Sequence, residues 1–422
     1  MKTRGTSFGF SSSLPLCALC LASAVGCGSG RRDTAGSAEQ GTSRTSQADT
    51  PSPRLWQTDF PVQNAYGLDV HTAAVDDAGN TFVVARTPTG GDVYLLYGFG
   101  PNGDNGRYMG YLGGGQVSRD YARANSAGLV IGGTNYNGPF SARVYDPSPF
   151  WIYTGATYSD LQGVDICQDG SVVAAITQHG AGDEGLLIDF DAAGPVQWTA
   201  SLPAAYATRI RCAGSGAIYV SEAVAGAPTV ARFESDGTPD WTWTASDSGL
   251  SSPTFGLAGG NVYVVAGGSG QYVVYAVDSG GNLQWRWASD GPNDRPAGIA
   301  ASDVVTVTGS RAPSGSGADT YTVQFDASGN VLWTRDDPAA SPTFAQGRPP
   351  LAVDNADNVF ICGPSPDGSS RAVLYAAADG TTLWTDPGLP YSAALTDVTN
   401  GVARCVGSNE GRNIFITAYQ VQ

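Results

Sequence analysis

One segment recurs through this chain and limits what it can fold into. It reads AAGPVQWTA at 192–200, SDGTPDWTW at 235–243, SGGNLQWRW at 279–287, ASGNVLWTR at 327–335 and ADGTTLWTD at 378–386. An apolar run precedes each copy: LLIDFD, TVARFE, YVVYAVD, YTVQFD or AVLYAAAD. A third element stands earlier in the unit, as in LAVDNADNVFICG at 351–363 and GLAGGNVYVVAG at 256–267. The marker residues Trp151, Trp198, Trp241, Trp285, Trp333 and Trp384 are 47, 43, 44, 48 and 51 residues apart. Tyr108-Met109 keeps the phase before them, and Trp56 stands one step earlier.

Each unit reads as four short strands, with Asp, Ser, Gly and Asn in the connections supplying turn geometry that β-branched residues avoid. The 57 glycines follow no triplet period, which fits many tight turns rather than a fibrous repeat. A four-stranded sheet has two faces to cover. Radial repetition covers them sheet against sheet and leaves only short edges. A straight β-solenoid, the competing architecture, has shorter rungs and needs capping ends. The marker indole is expected at the seam between neighbours, with its single N–H on a backbone carbonyl.

The ends complete the count. Residues 401–407 and 413–422 look like second and third strands whose tryptophan-bearing fourth strand is missing, while 55–58 is a fourth strand with nothing before it. Joining them pairs edges otherwise left open. The sequence therefore predicts an all-β fold: a single closed β-propeller of eight four-stranded blades, the last closed by the N-terminal strand. Seven blades is the alternative if 98–115 is a long loop. Nearly all of 55–422 resembles the quinoprotein-like propellers, with PQQ-type repeats, and the bacterial lipoprotein propellers built from the same repeat.

The N-terminus reads as an address. Lys2 and Arg4 precede a 12-residue apolar run at 14–25, too short for a comfortable membrane span and suited to a signal peptide. It ends in Ala24-Val25-Gly26-Cys27, which resembles the bacterial lipobox with alanine in place of the usual leucine. That resemblance implies a signal peptide at 1–26, lipidation of Cys27, a tether at 27–54 and the propeller at 55–422. Residues 28–53 hold no aromatic residue or aliphatic run, so they cannot build a core. Gly28, where enterobacterial lipoproteins retained at the inner membrane carry aspartate, implies the outer membrane.

The body carries 16 arginines and no lysine against 35 acids, a formal charge of −19. Nucleic-acid binding needs a basic footprint, so that partner is excluded. The expected partners are the membrane, through the lipid, and a protein or small molecule at a propeller face, with the chain otherwise a monomer.

Cys167 and Cys212 fall at the end of the first strand in successive units, 45 residues apart, and Cys362 and Cys405 in the second strand, 43 apart. An exported protein meets oxidants, so two disulfides, Cys167–Cys212 and Cys362–Cys405, are expected to join adjacent blades. Free buried thiols are the alternative.

Catalytic, cofactor-binding and metal-binding residues are none. His71 and His179 are isolated, and Asp76-Asp77 and Asp354-Asn355-Ala356-Asp357-Asn358 read as turns, without the spacing of a calcium loop. A PQQ-dependent dehydrogenase would bring an adjacent cysteine pair and a set of calcium ligands, and neither is present. The sequence thus predicts a non-enzymatic binding or scaffold module, exposed to the periplasm or cell surface. The competing readings are a quinoprotein oxidoreductase and an outer-membrane protein assembly subunit. Specificity is expected in the variable connections at 86–92, 178–184 and 310–319, with Tyr136, Tyr153 and Tyr206 as candidate contacts.

Overall fold

The computed structural model describes residues 54–62, 68–87, 93–114, 121–135, 138–144, 151–154, 159–268, 270–291, 294–311, 319–337, 351–364, 370–389, 395–409 and 413–421. Cys27, the signal segment 1–26 and the tether up to residue 53 lie outside them, as does Tyr136. Contacts divide the chain into Met1–Ala48 and Asp49–Gln422, and all described residues belong to the second unit.

Second and third strands are apolar runs because both their faces are covered. Tyr272–Val277 is buried at every position, and Val172–Gln178 at all but its last. Fourth strands alternate instead, as in Val196–Ser201, because one face is turned to solvent. Aspartates fold the connections. Asp278, Asp326 and Asp354 each accept the backbone N–H of the asparagine four residues on, at 2.8–2.9 Å.

Seven sheets are built from four consecutive strands, spanning 69–114, 121–154, 159–201, 207–244, 250–288, 295–337 and 351–389. We number these blades 1 to 7. A further four-stranded sheet is composite: Leu395–Thr399, Val402–Asn409 and Asn413–Gln420, with Arg54–Pro61 on its outer edge. The antiparallel pairing runs from Arg54 opposite Tyr419 to Pro61 opposite Asn413.

The expectation of one closed structure of eight like blades needs correction. Only seven sheets are consecutive repeat units, because the composite one has no connection between its third and fourth strands. The sheets are also open. Among the described residues no hydrogen-bonded strand pair carries a ladder from one sheet into the next; the seams are held by side chains and single hydrogen bonds, such as that from the Leu250 N–H to the Gly226 carbonyl at 3.1 Å. Residues 98–115, weighed as a long loop, instead contain the end of a third strand, a turn, and the fourth strand Arg107–Gly114 of blade 1.

The markers show how the seams hold. Trp198 Nε1–H donates to the carbonyl of Ser235 in the next blade at 3.0 Å, Trp241 to Ser279 at 2.9 Å, Trp285 to Ala327 at 3.0 Å and Trp333 to Ala377 at 3.0 Å. Beneath each ring lies a glycine of that same turn. A Cβ on Gly237, Gly281, Gly329 or Gly380 would meet the indole within 2.5–2.9 Å. Trp56 repeats the arrangement on Gly103 of blade 1, where Thr58 also donates to the Gly103 carbonyl at 2.8 Å.

Trp384 differs. The composite sheet offers it no such turn, and it stacks on Tyr419 with ring centroids 5.1 Å apart. A second device recurs beside the indoles. Tyr275 donates to Asp247 of the preceding blade (2.6 Å), which Arg286 also grips. Tyr419 donates likewise to Asp386 (3.0 Å), which Arg54 holds. Trp151 lies in the fourth strand of blade 2, Trp151–Thr154, together with Tyr153.

Both cysteine pairs are bonded: Cys167–Cys212 with Cα atoms 5.2 Å apart, and Cys362–Cys405 with Cα atoms 6.0 Å apart. The placement of the first pair needs correction. Cys212 ends its strand, opposite Ile218, whereas Cys167 lies one residue beyond Ser159–Ile166, in the turn. Cys212 therefore matches Ile166, not Cys167, and this bridge joins unlike positions.

Candidate binding groove

Blade 1 departs from the seam pattern. The sequence expectation of Tyr108-Met109 at the marker needs correction: Arg107 pairs with Gly98 as Trp198 pairs with Asp189, and the fourth strand's pairing with Val93–Phe99 is irregular at Tyr94/Leu95 and again at Leu96/Tyr97. A one-residue slip moves side chains to the opposite face of a sheet. Tyr108 accordingly turns away from blade 2. It is 53% exposed and packs edge-on against Tyr97, whose cluster faces the composite sheet.

Met109, two residues beyond Arg107, faces blade 2. Its sulfur lies over Gly98, 2.5 Å from where a Cβ would stand, and it packs with Phe82 and Leu129 in the cluster between blades 1 and 2. A thioether chain is smaller than an indole and adapts to irregular gaps. At this seam a cavity of about 900 Å³ opens, with Phe82, Phe99, Met109 and Leu129 in its walls. Its volume is within the range of natural ligand pockets.

Polar groups border the groove, and several are already committed. Asp76 accepts both the backbone N–H and the side-chain amide of Asn80, each at 2.8 Å. Asp77 Oδ2 accepts the Ser126 N–H across the seam at 2.8 Å, and its carbonyl accepts from Asn400 of the composite sheet at 3.1 Å. The Asn125 side chain donates onward to the carbonyls of Ile166 and Cys167 in blade 3, at 3.2 and 3.3 Å. The rim is thus held by its own bonds, while the walls are apolar.

The variable connections lie on the other face. Residues 88–92 and 312–318 are outside the described residues, and 179–183 is described. There His179 stands between Asp183 and Asp160, its ring nitrogens 2.9 and 3.1 Å from their oxygens. Hydrogen bonds to Asp183 and then Asp160 raise the imidazole pKa above its ordinary value. Tyr206, 49% exposed, donates to Asp183; with His179 this holds that carboxyl below the usual range, while the phenol's own pKa rises.

Behind this cluster, Glu222 is fully buried. It accepts the Ala204 N–H at 2.8 Å through Oε2, Oε1 has no partner, and burial pushes its pKa up to about 7. Sequence reasoning missed both this carboxyl and the groove. Glu222 stands in an otherwise apolar second strand, which was its only signal.

Nothing here resembles a reaction centre. Among the described residues no group of three or more His, Cys, Asp and Glu could hold a metal. His71 belongs to the strand Asp69–Val75 of blade 1 and His179 to a connection in blade 3. The Asp354 carboxylate is taken by the N–H groups of Ala356 and Asn358 and the Asn358 amide. No helix among these residues is long and apolar enough to cross a membrane.

Comparison with known proteins agrees. Residues 183–318 match the model of a PQQ-repeat family described as outer membrane protein assembly factor BamB, a span of under half the chain. The solved Dos1 propeller is similar in structure, with a TM-score of 0.62 at 10% identity, covering 87% of this chain and 95% of that one. At that identity the likeness shows the fold alone. No curated protein matches the chain in sequence. The fold is a β-propeller with PQQ-type, BamB-like repeats over residues 183–318.

Proposed function

We propose that the chain is a binding and scaffold propeller that receives a partner at the groove between blades 1 and 2. One observation carries the reading: the seam of blade 1, which has Arg107 where other blades carry an indole, holds a preformed cavity with Phe82, Met109 and Leu129 in its walls and a fixed polar rim. A photo-reactive phenylalanine derivative at Ser126 tests it, with Leu283 on the outer edge of blade 5 as control. A discrete adduct at Ser126 and none at Leu283 is expected. Equal labelling at both sites, or none at either, refutes the reading.

Export and anchoring belong to the same proposal. Cys27 becomes the lipidated first residue, the coreless segment up to residue 53 acts as a tether, and the propeller stands at the outer membrane. Mass spectrometry of the membrane fraction should find acylated Cys27. Cleavage elsewhere or an unmodified cysteine refutes it.

The match of 183–318 to an assembly factor favours a second, narrower reading, in which the propeller assists insertion of outer-membrane β-barrel proteins. Depleting the chain should then lower the amount of folded barrel proteins. Unchanged levels count against it.

A further inference from the structure

We infer that the groove takes a basic, extended segment of a partner protein, with apolar side chains in the cavity and Lys or Arg over the acidic turns around it. This rests on the binding reading above and specifies its partner. The argument comes from the face on which the groove opens. Its lining is drawn from the turns between first and second strands in blades 1 and 2, and from the turn between third and fourth strands in blade 1. Antiparallel pairing puts all turns of these two kinds at one end of the blades. Bonds across the seams join them there, from the Ser126 N–H to Asp77 and from Asn400 to the Asp77 carbonyl.

Charge at that end has one sign. The turns read DDAGN at 76–80, GPNGDNG at 100–106, CQDGS at 167–171, ESDGT at 234–238, DSGGN at 278–282, DASGN at 326–330 and DNADN at 354–358. Taken over all the described turns of this face, they hold thirteen Asp and Glu and no Lys or Arg. Asp77, Asp104, Asp169, Asp236 and Asp379 among them are exposed. Closing such a turn needs only a short polar side chain, and Asn or Ser would serve without charge. Arg107, in the strand just beyond one turn, is already engaged within the chain. Nucleic acid, anionic lipid head groups and a second copy of this acidic body all arrive with the same sign and are repelled, whereas a basic segment is drawn in. Phe82, Met109 and Leu129 require apolar groups from the same segment. An extended chain, whose side chains alternate between two sides, supplies both.

A reporter already stands in the cavity wall. The chain has two methionines, Met1 and Met109, so a ¹³C-methyl-methionine label gives two signals, and Met109→Leu identifies the second. A capped heptapeptide of alternating Arg and Leu should shift the Met109 signal and saturate, and its Glu–Leu counterpart should leave the signal in place at the same concentrations. Raising the salt from about 50 to about 300 mM should weaken the basic peptide about tenfold. Asp77→Asn combined with Asp104→Asn should weaken it about fivefold. Asp290→Asn, exposed in the connection between blades 5 and 6 on the opposite face, should leave the affinity unchanged.

No movement with the basic peptide up to its solubility limit overturns the inference. So does an equal, saturable response to the acidic peptide, which would leave a groove without charge preference. Equal weakening by Asp290→Asn overturns it as well, because net charge alone would then account for the binding. Photo-labelling at Ser126 tests the reading beneath it separately. A positive label with a Met109 signal indifferent to the basic peptide defeats only the basic partner, whereas failure of both defeats the groove.

Discussion

Two seams of this propeller differ in what faces the neighbouring blade. Between blades 6 and 7, Trp333 is buried, donates both to Gln324 of its own blade (2.9 Å) and to the Ala377 carbonyl of the next, and lies over Gly380. Between blades 1 and 2 the marker register carries Arg107, Met109 two residues on packs against blade 2, and a cavity remains. The indole provides area, shape and a directed hydrogen bond, and the thioether gives only adaptable volume. Because no ladder crosses either seam, the side chain decides whether the gap becomes core or site. One seam is built to be permanent and the other to be occupied.

The largest test of that contrast removes the indole. Trp333→Ala should cost about 3–5 kcal/mol, as large-to-small changes at buried tryptophans do. Met109→Ala, beside space that already exists, should cost clearly less. Urea unfolding of both variants checks this, and equal losses would mean that the seams are not differently built.

Much of this was legible in the sequence because the indole is needed at the same place in each turn of the chain. The spacing of Trp198, Trp241, Trp285 and Trp333 therefore records the blades directly. What escaped depended on register. Tyr108 and Met109 are adjacent letters, and only the irregular pairing at Leu96/Tyr97 determines which one faces blade 2. Cys167 and Cys212 looked equivalent, but a one-residue difference puts one in a turn and the other in a strand. The count of like blades failed for a related reason. The composite sheet supplies strands but no third turn, and Trp384 there rests on Tyr419 rather than on a glycine. The groove itself is a missing group, which no motif announces.

A second test uses pH. Glu222 stands at the seam between blades 3 and 4, where it holds Ala204. Burial raises its folded-state pKa to about 7, above the ordinary 4.5 of a glutamate. Between those values the folded form keeps a proton that the unfolded chain has lost. Stability should therefore fall as pH rises from about 4.5 to 7, on the order of 2–3 kcal/mol for this group alone. Thermal unfolding at pH 5 and pH 7.5 should show the decline, and Glu222→Gln should flatten it. An unaltered slope in the variant would place the titration elsewhere, and the 3/4 seam would then owe nothing to this carboxyl.

A third, smaller effect concerns the surface beneath an indole. Gly380 has a φ of +68°, and a Cβ there would stand 2.7 Å from the Trp333 ring. Gly380→Ala should cost about 2 kcal/mol, from left-handed backbone strain together with overpacking. Gly249→Ala isolates the first part, since it has φ +76° and nothing within 4 Å of the added carbon. It should be the milder of the two. If denaturant midpoints shift equally, contact with the ring contributes nothing to the seam.

The smallest expected effect is also the most specific, because it fills the open seam. Met109→Trp places an indole in the cluster that faces blade 2, two residues beyond the marker register of Arg107. Filling a preformed cavity stabilises by about 1 kcal/mol when the new group fits without strain. Here Gly98 of the same blade leaves room beside the side chain, and the displaced thioether leaves its own volume to the new ring. The unfolding midpoint should rise slightly, and labelling at Ser126 should disappear because the space is taken. A variant that is stabilised yet still labelled would separate the cavity from the binding site. A strongly destabilised one would show that the blade 1 seam diverges from the others in backbone as well as in side chain, and that the two seams never shared a design.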